Sequence, residues 1–239
     1  VRYLLGGDMT AGGLIRLFGR VDLDKYYEVH KAFDKLINEA IGQPIRITDR
    51  AGTDVEFKLG KRGFEKPRRG DKPGSYLVPG SCTMFPEIES VCGRIRVGSV
   101  FHEYYTPLQE PYRFEVEGKI RSVTGGGTEL KVIDRSLRRA GNGEYGNIIH
   151  FTCGYHPAAR VTGNSFIEDQ RAIGCNAVGL GLPFWEEGGG ENHPDCVMKE
   201  QSFWIGSEQI VKDGSIIAPS NLAAAVAELH CARAGNQVI

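Results

Sequence analysis

The chain carries no Cys-x-x-Cys pair, no apolar run long enough to cross a bilayer and no surplus of positive charge. The first absence removes the zinc-finger spacings. The six cysteines, at positions 82, 92, 153, 175, 196 and 231, are scattered. In a chain of 239 residues they read as reduced thiols of a cytoplasmic protein rather than as a disulfide framework. The second absence argues against a membrane span, which needs about 18 consecutive apolar residues. Lys and Arg number 29 against 30 Asp and Glu, a formal charge of −1, whereas a dedicated nucleic-acid binder shows a basic excess. The glycine runs lack both the strand–helix setting of a G-x-G-x-x-G loop and the Lys-Ser/Thr of a P-loop. Neither an initiator Met nor a signal sequence precedes "VRYLLGGD", so the start reads as a point partway into a longer protein.

What the chain does have is glycine, 32 in all, and a succession of short alternating segments. "DLDKYYEVHKAFDKLINEAIG" predicts an amphipathic helix, capped by Asp22 or Asp24, with Tyr26, Val29, Phe33, Leu36 and Ile37 on one face and Gly42 at its end. His30, among charged neighbours, is expected in solvent. "PIRITDRAGTDVEFKLG" is a hairpin pattern, and residues 60–75, rich in Lys, Arg, Gly and Pro, predict an exposed loop. Alternation from about 90 to 124 predicts a meander or small barrel-like sheet. "TELKVIDRSLRRAG" and "APSNLAAAVAELHCARAG" have helical character, and "GNIIHFTCGYHP" and "AIGCNAVGLGLP" read as apolar strands. The expectation is a β-rich α+β fold with a mixed sheet and two or three helices, 1–239 forming one catalytic domain with 1–43 as a helical lead-in.

Six histidines are present, and His150, His156 and His193 fall where apolar strands meet turns. His193 and Asp195 are separated by one residue, so on a strand they share a face. Pro194 between them lacks an N–H, which suits a strand start. Two histidines and a carboxylate make the facial set that leaves positions open on non-haem Fe(II). By local pattern alone the same residues also fit a surface Asp-His turn. Glu87 and Glu89 in "FPEIES" fit a solvated strand edge, and His102 in "VFHEYY" fits a half-buried structural histidine.

The order of "GTDVEF", "FPEIES", "HFTCGYHPAARVTGNSFIEDQRAIGCNAVGLG", "ENHPDCVM" and "IVKDG" resembles the C-terminal catalytic part of the thermophilic-type metalloaminopeptidases, aminopeptidase T and S, over roughly residues 45–215. That family carries a further N-terminal domain and holds two metals. By resemblance its first glutamate falls on Glu89, its second on His150, its first histidine on Ala177, and its His-x-Asp on His193 and Asp195. Exchange of a bridging carboxylate for histidine and of a histidine for alanine takes a two-metal site apart. The pattern left behind is similar to the 2,5-dihydroxypyridine 5,6-dioxygenase family, in which two histidines and an aspartate bind Fe(II).

That resemblance implies ring cleavage of a hydroxylated pyridine by O₂, giving N-formylmaleamate, with His150, His193 and Asp195 on the iron. Glu89 and His102 are the candidates for moving protons, and Tyr105 (with Tyr104) and His156 for contacting the substrate. The resemblance also implies a homo-oligomer. A peptidase holding Zn or Co, and a non-catalytic relative, are the alternatives.

Overall fold

The computed structural model describes residues 8–19, 21–63, 80–101, 105–189 and 193–235. Asp22, in extended backbone, accepts hydrogen bonds from the N–H groups of Asp24 and Lys25, donors that have no partner within a first helical turn. From that cap helix α2 runs Leu23–Glu39 and buries Tyr26, Val29, Phe33 and Ile37 against the sheet. Each such side chain contributes about 1.5–3 kcal/mol by leaving water. His30 corrects the expectation of a solvated ring. It is buried on the same face, with Nδ1 2.6 Å from the hydroxyl of Tyr155 and Nε2 3.4 Å from Asp34. Charged sequence neighbours concealed a partner 125 residues away.

Strands β1 (Pro44–Thr48) and β2 (Asp54–Lys58) form the expected hairpin. The Asp49 carboxylate holds its turn by accepting from the N–H groups of Gly52 and Thr53, each at 2.9 Å. Ile45, Ile47, Val55 and Phe57 alternate inward. After β3 (Ser81–Met84) comes the meander, β4 (Cys92–Phe101), β5 (Tyr105–Glu117) and β6 (Lys119–Gly125), and then helix α3 (Leu130–Ala140). The remaining elements are β7 (Asn147–Gly154), the single turn α4 (Phe166–Asp169), β8 (Asn176–Gly181), β9 (Asp195–Met198), β10 (Ser202–Ile205), β11 (Glu208–Lys212), β12 (Ser215–Ile216) and α5 (Ser220–Gly235).

One sheet takes in all twelve strands, in the order β12-β11-β10-β1-β2-β4-β9-β8-β7-β3, with β5 and β6 branching from β4. The expected mixed sheet is corrected: every ladder between these strands is antiparallel, and the parallel pairing among the described residues is the isolated bridge His156–Ala172. The α+β character holds, with helix α1 (Ala11–Gly19) and the turn α4 added to the helices that the pattern predicts. Most of the 60–75 loop, from residue 64 on, lies outside the described residues.

Strands β7, β8 and β9 sit toward the middle of one half of the sheet and are buried on both faces. Their near-continuous apolar sequences follow from that position. On one face Ile148, Phe151, Val178, Leu180, Cys196 and Met198 join the main core. On the other, Ala177 and Val197 pack under Phe166, Ala172 and Cys175.

Candidate metal centre

His150 owes its direction to a fault in the β7–β8 ladder. Asn147 opposes Gly181 and Ile148 opposes Leu180, but His150 then opposes Gly179, so Ile149 is the extra residue of a β-bulge. In an unbroken strand Ile148 and His150 would share a face. The bulge leaves Ile148 in the main core and turns His150 to the opposite side. Gly179 in turn opposes Asp195, the first residue of β9. His193, two residues earlier, completes the group.

The donor atoms of His150, His193 and Asp195 all lie within 4.8 Å of one another. Nε2 of His150 is 3.3 Å from one Asp195 carboxylate oxygen, and Nε2 of His193 is 3.5 Å from the other. Ligand atoms about 2.1 Å from one ion stand roughly 3.0–3.4 Å apart, and the two His–Asp195 separations are close to that range. Despite the short separation, Oδ1 of Asp195 has no hydrogen-bond partner, and neither has Nδ1 of His150. The three groups come together without completing one another's hydrogen bonds. A buried carboxylate oxygen left unpaired costs free energy, and a cation at that centre removes the cost.

Burial dominates the electrostatics. It pushes His150 down to about 3, helped by the neighbouring His193 and opposed by the Ala177 backbone. It also lowers His193 and drives Asp195 well above the usual carboxylate range. Both imidazoles are therefore neutral near pH 7, the form in which histidine binds metals. Two nitrogen donors and one oxygen donor fit a divalent transition metal. The Phe184 ring stacks on His193 with centroids 4.6 Å apart and planes 20° apart, while remaining 38% exposed. It fixes one face of the ligand ring and offers an apolar edge beside it.

Among the described residues no other candidate joins this trio of donors. Glu89 is exposed in a 3-10 turn, Ile88–Ser90, and is not among the converging donors. Both nitrogens of His156 are committed: Nε2 donates to the Leu17 carbonyl at 2.9 Å, and Nδ1 accepts from the N–H groups of Ala158 and Ala159. No ring nitrogen remains for a substrate, and the contacts of His156 are with the fold itself. Tyr105 donates to Asp169 at 3.0 Å and meets Ser99 at the same distance, and burial pushes its hydroxyl above the usual phenol range. His102 and Tyr104 lie outside the described residues. Sequence reasoning missed the Ile149 bulge, Gly179 and Phe184. The signal for the second was a glycine inside a strand, which marks close approach of another group.

A family profile described as 2,5-dihydroxypyridine 5,6-dioxygenase (NicX) matches residues 13–218. No curated protein matches the chain. Among solved structures, the 2,5-dihydroxypyridine dioxygenase of Pseudomonas putida KT2440 superposes with a TM-score of 0.70 at 18% identity, over 88% of this chain and 63% of that one. Wild-type AmpT from Thermus thermophilus gives a TM-score of 0.60 at 14% identity, over 85% of this chain and 57% of that one. At such identities the likeness is one of fold. The chain thus spans less than two thirds of the length of either structure.

Proposed function

The chain belongs to the 2,5-dihydroxypyridine 5,6-dioxygenase family, and from that premise we propose that it is an Fe(II)-dependent, ring-cleaving dioxygenase. Its substrate class is a hydroxylated pyridine such as 2,5-dihydroxypyridine, with N-formylmaleamate as product. The observation that carries the reading is the meeting of three donors, His150, His193 and Asp195, at one point. Ala177 stands on β8 where the two-metal pattern has a histidine, and no further donor joins the trio among the described residues.

His150, His193 and Asp195 would hold the iron, which would supply open coordination positions for the substrate and O₂. Two neutral imidazoles would offset none of a dication's charge and Asp195, ionised once it held the cation, would offset one unit, so the pocket would stay positive and favour a deprotonated ring hydroxyl. Phe184 holds the His193 ring in place and gives a flat apolar surface beside it. His102, which lies outside the described residues, stays the candidate for taking the hydroxyl proton by its residue type alone. Burial of Asp195 and His150 keeps water from the metal's protein side.

Metal analysis after anaerobic purification should find about one iron per chain. Oxygen uptake with 2,5-dihydroxypyridine should disappear in His193→Ala and on removal of the metal with a chelator. Two zinc or cobalt ions per chain, with cleavage of leucyl peptides and no uptake with any hydroxylated N-heterocycle, would overturn the reading in favour of a peptidase.

A further inference from the structure

Across β7, β8 and β9 the residues His150, Gly179 and Asp195 form one row. Residues directly opposed in a sheet point to the same face. Two strand spacings, roughly 9.5 Å, separate the outer backbones of such a row. Yet Nε2 of His150 comes to 3.3 Å from Asp195. The imidazole spans the gap by lying across the middle strand, over the one position in the row that has no side chain.

How closely it lies is measurable. A Cβ placed on Gly179 would stand 2.2 Å from Nε2, 2.5 Å from Cδ2 and 2.7 Å from Cε1 of His150. All three atoms belong to one ring, and it is a ring hemmed in by burial and edge-on contact with His193. The donor nitrogen itself is the atom most severely blocked. Backbone conformation does not explain the glycine. Gly174 and Gly181, on either side, have φ of 74° and 123°, where L-residues are strained, but Gly179 is not among the positive-φ positions. Alanine at 179 is therefore conformationally ordinary, and what forbids it is the His150 imidazole.

We propose that Gly179 is a positioning residue of the metal centre: its bare Cα is the passage through which His150 reaches Asp195 and His193. Any larger residue there drives His150 out of the donor set and leaves a two-ligand site. The metal-binding part rests on the proposed function, while the steric part stands on the packing alone.

Two measurements test it. Co(II), added anaerobically to metal-free protein and followed by its visible absorption, should bind Gly179→Ala about a hundredfold or more weakly than the native chain. Urea denaturation of four metal-free proteins (native, Gly179→Ala, His150→Ala and the double variant) reads the clash directly. Alanine at 179 should lower the midpoint when His150 is present and leave it unchanged when residue 150 is alanine. Should Gly179→Ala fail to fold, the double variant should recover folded protein. Native Co(II) affinity in Gly179→Ala, an equal loss of stability in both backgrounds, or no recovery in the double variant would overturn the proposal. If the native chain takes up no Co(II), the dioxygenase reading fails, and the denaturation cycle still decides whether Gly179 is shaped to His150.

Discussion

Asp169 and Asp195 are both buried carboxylates, and they are treated in opposite ways. Asp169, at the end of α4, accepts from the N–H and hydroxyl of Thr162, from the N–H of Gly163 and from the hydroxyl of Tyr105, at 2.7–3.0 Å. Each of its oxygens has two donors. Asp195, on β9, has an oxygen with no hydrogen-bond partner, although imidazole nitrogens stand 3.3 and 3.5 Å from its two oxygens. The first is a finished structural knot that ties the 162–163 loop to β5. The second could take a cation at its open oxygen. A buried acid whose neighbours satisfy it serves the fold, and one whose neighbours converge beside it serves a ligand.

The sharpest way to break that contrast is at Asp195. Asp195→Asn should abolish metal uptake and reduce oxygen consumption to background. The metal-free variant should be as stable as the native chain, or more so, in chemical denaturation, because the group removed lacked a full set of partners. Asp169→Ala should do the reverse to stability. It strands two backbone N–H groups, at about 1–3 kcal/mol for each unsatisfied group, and takes one of two partners from the Tyr105 hydroxyl, so after relaxation a loss of about 3 kcal/mol is expected in urea. If Asp195→Asn were as costly to the fold as Asp169→Ala, the two acids would not differ in kind. The smallest effect belongs to Ser165, whose hydroxyl caps α4 by accepting from the Glu168 N–H at 3.2 Å. Ser165→Ala should cost about 1 kcal/mol in the same assay with oxygen uptake unchanged.

Much of the contrast could be anticipated from residue order, and the part that could not has a physical cause. His193 and Asp195 are two residues apart, a local relation that strand geometry makes meaningful. The α2 stripe and the β1–β2 hairpin are likewise local periodicities. His150 joins the pair only because Ile149 bulges, and whether a ladder slips at one residue depends on its partner strand. The burial of His30 is hidden from local pattern for the same reason, since its partner Tyr155 lies just past the end of β7. The commitment of His156 to Leu17 likewise spans 139 residues. Glu89 occupied the position that resemblance assigned to a ligand, but a turn leaves it in solvent. Periodicity along a chain is silent on contacts between distant segments.

The pairing of Gly179 with both His150 and Asp195 also bears on the register of the sheet. Shifting β8 by one residue would set Val178 or Leu180, each with a branched side chain, in the place of the bare Cα. The three donors could not then meet. An ion held by all three would therefore be bound only in this register of β8.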